Sequence, residues 1–182
     1  MKFPKDSLYA GDYIRTYTGK YVNPFDMNIE DIDIKDIAHA LSMMCRFSGH
    51  CQQFFSVAHH SLLVSNALPD DFKLEGLLHD ASEAYLVDIP SPIKQKMPQY
   101  LEVENNLMTV ISKKFGFTWP SSPEVKKQDK NALEYEWENN VINKGIQIVT
   151  YEPFIAEKMF LDEFYELYKK FKYDNKRKYT KG

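Results

Sequence analysis

The chain has 182 residues, of which 43% are hydrophobic and 27% are charged, and its formal net charge is −3. This length and composition are typical of one globular domain with its own hydrophobic core, and they exclude a fibrous, collagen-like or wholly disordered chain. The negative charge gives no support to a nucleic-acid binder that neutralises phosphates with a basic surface. Basic residues concentrate only at positions 169–182, which hold seven Lys or Arg and one Asp, and we expect 173–182 to form a frayed, solvated tail.

The two cysteines, Cys45 and Cys51, are six positions apart, a spacing that excludes a CxxC metal clip. The N-terminal residues lack the apolar segment of a signal peptide, and no stretch approaches the roughly eighteen apolar residues of a membrane span. We therefore expect a soluble, cytoplasmic protein with no membrane partner, in which both thiols are free.

Positions 1–30 mix aromatic residues with turn signals, so an irregular N-terminal segment is predicted, with a short hairpin as the alternative. Beyond it, apolar residues recur every three or four positions, which is the periodicity of an amphipathic helix. The pattern predicts helices over residues 32–47, Phe54–Leu68, Asp71–Leu86, Tyr100–Phe115, 122–144 and 153–171.

Cap and breaker residues refine these bounds. Asp33 and Asp36 resemble a capping pair, Gly116 is placed to end the fourth helix, and Pro123 to open the fifth. Three prolines within residues 88–98 exclude a regular helix and predict an extended loop, and the β-branched residues of 146–150 predict a brief strand or a link. We therefore predict an all-α fold, a single domain of about six helices.

All five histidines lie in the first half of the chain, and His79 has neighbours that suit a metal site. Asp80 follows His79 directly, and Glu83, four positions after His79, lies on the same face of the predicted helix. Asp88 follows in the next loop. Imidazole and carboxylate ligands suit a divalent transition metal, although a His-Asp dipeptide alone is a weak signal.

His60 lies on the preceding predicted helix. A short turn between Leu68 and Asp71 predicts an antiparallel helical hairpin, in which His60 and His79 are each about eight residues from the turn. With a rise of ~1.5 Å per residue the two histidines are level across the hairpin, as a shared ion requires. Helical spacing alone predicts that Asp129 is a solvated residue of the fifth helix.

Four features then occur in order between residues 31 and 137: DIAHALSMMCRFSGH, VAHHS, HDASEAYLVDIPSPIK and the single Asp129. Together they resemble the HD-domain metal-dependent phosphohydrolases, specifically the small bacterial 5′-deoxynucleotidase-like branch and its phage-encoded relatives. The resemblance implies one HD-type helical domain over 1–182 whose metal ligands are His60, His79, Asp80 and Asp129. Relatives often have Gln or Glu where this chain has His59, so His59 is expected to be structural or to line the pocket rim.

The resemblance also implies a substrate site. Arg46 is similar to the family's phosphate-binding arginine, and Phe47, which is Trp in some relatives, offers an aromatic face to a base or sugar. Lys94 is similar to a second phosphate contact of phage members, and Pro92 is expected to border the base. Beside the ligands, Glu83 is the candidate for proton transfer, and Asp88 is expected to orient the nucleophile or a sugar hydroxyl.

We therefore expect a metal-dependent phosphohydrolase that releases phosphate from deoxynucleoside 5′-phosphates with a metal-activated water. One alternative is a phage-type dATP or dNTP triphosphohydrolase that shapes the nucleotide pool; the other is a nucleotide-binding module without turnover. The expected ion is Mn, Co, Zn or Fe, with a second ion, Mg, kept open. A homo-oligomer through the last helix is also kept open, since its apolar stripe fits an interface as well as plain core.

Overall fold

The computed structural model of the protein describes residues 11–142 and 144–179, with side chains as far as Tyr173. Helices account for 61% of the structure and strands for 4%, which confirms the predicted all-α fold. Among the described residues, none of the helices combines the length and apolarity that crossing a bilayer requires.

A short N-terminal hairpin pairs β1 (Ile14–Arg15) with β2 (Tyr21–Val22) in antiparallel register, as the hairpin alternative predicted. The helices follow as α1 (Ile34–Met43), α2 (Val57–Asn66), α3 (Asp70–Leu78), α4 (Glu83–Leu86), α5 (Ser91–Lys94), α6 (Pro98–Phe115), α7 (Pro123–Glu136) and α8 (Pro153–Tyr179). A 3₁₀ turn, Arg46–Gly49, lies between α1 and α2, and a π-helical turn, Trp137–Val141, follows α7 directly.

The core forms where α8 packs across α1, α2 and α3. Phe160 and Phe164 of α8 are fully buried there. The apolar stripe of α8 therefore packs against the core from Ala156 to Phe171, while Phe154 at its start is exposed. The backbone of α8 is helical through Tyr179, so the frayed tail expected from residue 173 is not seen over 173–179; residues 180–182, like 1–10, lie outside the described residues.

The predicted single helix Asp71–Leu86 is wrong, because the chain leaves α-helical geometry after Leu78. The imidazole Nδ1 of His79 lies 2.7 Å from the Gly76 carbonyl oxygen, the group that a continuing α-helix would pair with the amide of residue 80. Tighter bonds follow, from the Ala81 amide to the Leu78 carbonyl and from the Glu83 amide to the Asp80 carbonyl. His79 and Asp80 therefore lie in a turn between two helices.

Further boundaries also differ from the prediction. The helix predicted over 32–47 is shorter, since α1 ends at Met43 and the backbone is extended at Met44, and α6 begins at Pro98 instead of Tyr100.

α2 begins at Val57 and not at Phe54, since the Ser56 hydroxyl accepts a hydrogen bond from the His59 amide and caps the helix there. The loop expected over 88–98 contains α5, where Pro92 occupies the first turn of a helix and its missing N–H costs no hydrogen bond. Residues 146–150 form a link without a strand.

The capping prediction holds for one member of the pair. Asp33 caps α1 by accepting from the Lys35 amide at 3.1 Å, but Asp36 is buried and turns away from the cap. Its carboxylate accepts from the Thr18 amide at 2.6 Å and the Thr18 hydroxyl at 2.9 Å. Asp36 therefore fastens the N-terminal hairpin to α1.

Gly116 ends α6 as predicted, with a left-handed φ of 81°. A Cβ at this position would lie 2.6 Å from Cε1 of Phe171, which packs against the core from α8. We expect Gly116→Ala to lower the free energy of unfolding by about 2–4 kcal/mol, from backbone strain and overpacking together. Urea denaturation followed by circular dichroism measures the loss.

The matched control is Gly145→Ala, because Gly145 also has a left-handed φ, of 91°, but no atom lies within 4 Å of its added Cβ. It should lose only the backbone contribution of about 1 kcal/mol. Equal losses in the two variants would contradict the close packing of Phe171 on the end of α6.

Candidate metal centre

The hairpin of α2 and α3 brings His60 and His79 together, as their spacing predicted. Their ring centroids are 5.2 Å apart and both side chains are buried. α7 adds Asp129, whose Oδ1 lies 3.1 Å from His60 Nε2 and 3.7 Å from His79 Nε2. One ligand atom from each residue lies within 4.8 Å of the others, so His60, His79 and Asp129 form a group that could hold a metal ion.

Asp80 borders this group from the turn after α3. Its Oδ2 is 3.3 Å from His79 Nε2 and 3.8 Å from His60 Nε2. Burial alone would raise the pKa of Asp80 and of Asp129, but the neighbouring imidazoles hold both values below their ordinary range. Both carboxylates are therefore ionised, and Asp80 lies beside the group formed by His60, His79 and Asp129 without being one of its three members.

The hydrogen bond at Nδ1 of each imidazole fixes the tautomer of the neutral ring. His79 Nδ1 is 2.7 Å from the Gly76 carbonyl oxygen, which can only accept, so this nitrogen carries the proton in the neutral ring. His60 Nδ1 is 2.6 Å from Oε1 of Glu136 and donates to that carboxylate. In both neutral rings Nε2 then presents a lone pair to Asp129 and Asp80.

This donor set fits a divalent cation. His79 Nε2 is buried and has no hydrogen-bond partner, and lone pairs and carboxylate oxygens that face one another repel unless a positive charge lies between them. Metal–ligand bonds of about 2.1 Å at angles from about 90° to 130° place neighbouring ligand atoms about 3.0–3.8 Å apart, and the four distances between an imidazole Nε2 and a carboxylate oxygen lie in this range.

Glu136 contacts both His60 and Arg46, and the sequence prediction did not name it. Its side chain is fully buried, its Oε1 accepts from His60, and its Oε2 accepts from Arg46 Nε at 3.1 Å. Burial raises its pKa, but His60 and Arg46 hold the value below its ordinary range. The available signal was its position seven residues after Asp129, two turns along the same face of α7.

Arg46 lies beside the centre, at the start of the 3₁₀ turn. Its side chain is buried, and its NH1 is 3.8 Å from Asp80 Oδ2. Burial lowers the pKa of Arg46, but the Glu136 and Asp80 charges raise it above its ordinary value, so the guanidinium keeps its charge. Phe47 places its ring 5.6 Å from the guanidinium carbon and 6.0 Å from the ring of Trp137.

Glu83 opens α4 and is almost wholly buried. Its Oε1 lies 3.4 Å from Lys94 Nζ, while its Oε2 is buried without a hydrogen-bond partner. Burial, and then the charges of Asp80 and Asp88, raise the pKa of Glu83 well above its ordinary value; Lys94 and Arg46 oppose the rise. Burial also raises the pKa of Asp88, which is half-buried.

The structure places the other two expected substrate contacts on α5. Lys94 Nζ donates to Glu104 Oε1 at 2.7 Å as well as lying near Glu83, so the ammonium is already paired. Pro92 is exposed. Glu104 is a second partner that the sequence prediction did not name.

The remaining histidines lie outside the ligand group. His59 is buried between the rings of Phe55, at 4.2 Å, and Tyr151, at 4.4 Å, and burial lowers its pKa to about 4. His39 pairs with Glu157 of α8 at 3.0 Å, and His50 is exposed. The packing of His59 agrees with the structural role expected for it.

Two other features flank the centre without joining it. Cys45 and Cys51 are free thiols whose sulfurs are 3.4 Å apart on either side of the 3₁₀ turn. A surface depression of about 350 Å³ runs along the outside of α7 and the π-helical turn, lined by Asn131, Glu134, Tyr135, Trp137 and Glu138. Most of these residues share the helix face opposite Asp129 and Glu136, so the depression lies away from the ligand group.

Glu136 is expected to govern metal affinity through His60. Glu136→Gln removes the charge that orients and polarises the imidazole, and loss of such a partner weakens metal binding about 10- to 100-fold. The control is Glu134→Gln, on the exposed face of the same helix. Calorimetric titration of the metal-stripped proteins with Mn²⁺ measures both, and unchanged affinity in Glu136→Gln would refute this role.

Metal binding is also expected to strengthen as pH rises. Burial lowers the pKa of His60 and of His79, but nearby carboxylates raise both pKa values above the ordinary value. These carboxylates are Glu136 and Asp129 for His60, and Asp80 and Asp129 for His79. The protonated rings of the two histidines therefore stabilise the metal-free protein fully below about pH 6.5, and this stability is lost as pH rises through the raised values. Ligation needs neutral rings.

The difference in Tm between Mn²⁺-loaded and EDTA-treated protein should therefore widen from about pH 6 to about pH 8.5. Differential scanning calorimetry measures it, with His50→Ala as a control in which an exposed histidine is removed. A difference that stays constant with pH would show that His60 and His79 are not ligands.

No protein-family model matches the chain. It is 39% identical to the uncharacterized protein YfdR of Escherichia coli K12 over 148 residues, which cover 81% of this chain and 83% of YfdR. It is 31% identical to an uncharacterized protein of Rhodobacter capsulatus over 128 residues, 65% of each chain. Since the similarity to YfdR spans most of both chains, this protein belongs to the same family as YfdR.

Proposed function

We propose that the protein is a metal-dependent phosphohydrolase that acts on deoxynucleoside 5′-phosphates. The observation that carries the proposal is the convergence of His60, His79 and Asp129 beside a buried arginine and a buried, unpaired carboxyl oxygen. The resemblance of the sequence to HD-domain phosphohydrolases, which includes these residues, is the second support for the proposal. A bound divalent ion supplies Lewis-acid polarisation of a phosphate oxygen and lowers the pKa of a water.

Arg46 is the proposed phosphate contact. Glu136 holds its Nε, so the planar guanidinium is fixed with its terminal nitrogens on the side of Asp80. A guanidinium that is oriented before substrate arrives can donate two parallel hydrogen bonds to phosphate oxygens, and it offsets the charge that develops on them. Glu136 would thus orient both His60, a proposed metal ligand, and Arg46, the proposed phosphate contact.

Glu83 is the proposed proton-transfer group. Its raised pKa means that it keeps a proton to higher pH than a free glutamate, and its Oε2 has no competing hydrogen bond. A carboxyl group with these properties can take a proton from the attacking water or give one to the leaving oxygen. Asp88, in the segment between α4 and α5, is proposed to orient the nucleophile or a sugar hydroxyl.

A triphosphohydrolase is the second candidate, and Lys94 is the observation that favours it. Its ammonium lies at the edge of the site, beside Glu83, where a second or third phosphate could replace Glu83 as its partner. The third candidate, a nucleotide-binding module without turnover, has less support because the proposed ligands and Glu83 are all present. Deoxynucleotide substrates of either kind would place the activity in the cytoplasm.

Product analysis separates these candidates. Metal-stripped protein is reloaded in turn with Mn, Co, Zn and Mg and incubated with the four dNMPs and the four dNTPs, and products are resolved by chromatography. We expect nucleoside and inorganic phosphate from dNMPs, with dNTPs untouched. Consumption of dNTPs alone would favour the triphosphohydrolase, and no turnover with any metal would overturn both enzymatic proposals.

Glu83→Gln tests the chemistry within the same assay. It should bind Mn²⁺ as tightly as the parent but turn over about 10²- to 10⁴-fold more slowly, the range for loss of a proton-transfer group. The control is Glu102→Gln, an exposed residue of α6. Loss of metal together with activity would remove Glu83 from this role.

A further inference from the structure

α6 presents two polar side chains to the edge of the metal centre. Tyr100 and Glu104 are four residues apart and therefore lie on one face of the helix, in its first two turns. Tyr100 Oη donates to the Val87 carbonyl at 2.6 Å, and Glu104 Oε1 accepts from Lys94 at 2.7 Å. The two residues thus contact the segments on either side of Asp88, one before it and one after it.

Val87 has an uncommon backbone conformation. Its φ is 76° and its ψ is 150°, outside the regions that a β-branched residue adopts without strain. It directly precedes Asp88 and directly follows α4, the helix that Glu83 opens. Strained residues of this kind persist only where the surrounding structure holds them, and they cluster at functional sites. The Tyr100 hydroxyl is the contact that holds the carbonyl of this residue.

Lys94 is held from the same helix. Its ammonium lies 2.7 Å from Glu104, 3.4 Å from Glu83 and 5.5 Å from the Tyr100 ring centroid. The bond to Glu104 is the shorter of its two carboxylate contacts, so Glu104 is the anchor. Because Lys94 occupies Oε1 of Glu83, the unpaired oxygen of Glu83 is Oε2.

We propose that Tyr100 and Glu104 are positioning residues of the active site. Tyr100 holds the strained Val87–Asp88 peptide, and Glu104 holds Lys94 against Glu83, so that one helix face sets the positions of Asp88, Lys94 and the free oxygen of Glu83. The inference rests on the proposed function for its effect on turnover. The positioning itself is a property of the protein without substrate.

The first experiment tests the Tyr100 contact by a double-mutant cycle with Val87→Gly. Tyr100→Phe removes only the hydroxyl, and in the metal-loaded protein we expect kcat for the best dNMP to fall about 10-fold with Mn²⁺ affinity unchanged. Glycine adopts the φ of residue 87 without strain, so in the Val87→Gly background Tyr100→Phe should have little effect on kcat. Measured as Tm shifts, the same cycle should also be non-additive, but with the smaller loss in the parent. Val87→Gly keeps the carbonyl that accepts from Tyr100, whereas only in the parent does release of the strain at Val87 offset part of the lost hydrogen bond.

The second experiment tests the anchor on Lys94. Glu104→Gln should make the Lys94 amine react about tenfold faster with an acylating reagent, because the amine loses a charged partner that keeps it protonated. Peptide mass spectrometry reads the modification at Lys94 alone. Glu102→Gln, on the same helix but exposed, should leave the rate unchanged.

The outcomes separate this inference from the proposed function. If the parent protein turns over substrate, and Tyr100→Phe and Glu104→Gln behave like the parent in every assay, the positioning role is refuted. The proposed phosphohydrolase activity is then still supported. If the parent turns over no nucleotide, the Tm cycle and the acylation rates still decide whether α6 holds Val87 and Lys94. Equal Tm shifts from Tyr100→Phe in the parent and in the Val87→Gly background, with an unchanged acylation rate, would refute the inference.

Discussion

The carboxylate of Glu136 is the contact on which the centre depends. It is fully buried, yet both of its oxygens are used, one by His60 and the other by Arg46. A buried carboxylate that lost either partner would be left with an uncompensated charge, which typically costs several kcal/mol. The same group therefore fixes an imidazole from α2 and a guanidinium from the turn after α1, and it does so from the helix that also carries Asp129. Three separate parts of the chain are held in register by one side chain.

The break after α3 has a comparable role. The side chain of His79 forms a hydrogen bond with the Gly76 carbonyl, and the chain turns where a continuous helix was predicted. On a continuous helix, His79 and Asp80 would point about 100° apart; in the turn, Asp80 Oδ2 lies 3.3 Å from His79 Nε2. The helix that resumes as α4 carries Glu83 into the same site. Local loss of helical hydrogen bonding is thus what allows adjacent residues to face one point.

The sequence predicts what depends on local signals. Helical periodicity and cap residues placed most helices, and the length of one turn put His60 level with His79. Asp129 could be chosen only through a family resemblance, because helical spacing does not distinguish a ligand from a solvated carboxylate on another helix. Glu136, Tyr100 and Glu104 were not named because their contacts with Arg46, Val87 and Lys94 are tertiary. Their residue types are ordinary for exposed helix positions. Glu136 had one signal, its place two turns after Asp129 on the same face of α7, and no pattern within α6 marks Tyr100 or Glu104.

The excess of negative charge at the site favours both the binding of a cation and the uncharged form of a carboxyl group. Two fixed cations, Arg46 and Lys94, face a larger set of carboxylates: Asp80, Glu83, Asp88, Asp129 and Glu136. With neutral imidazoles, such a site repels an anionic phosphate. A divalent cation would offset most of the excess, and the raised pKa of Glu83 favours the uncharged form of that carboxyl group. On the proposed function, attraction of a phosphate therefore depends on the bound cation, and a proton on Glu83 would both favour that attraction and be available for hydrolysis.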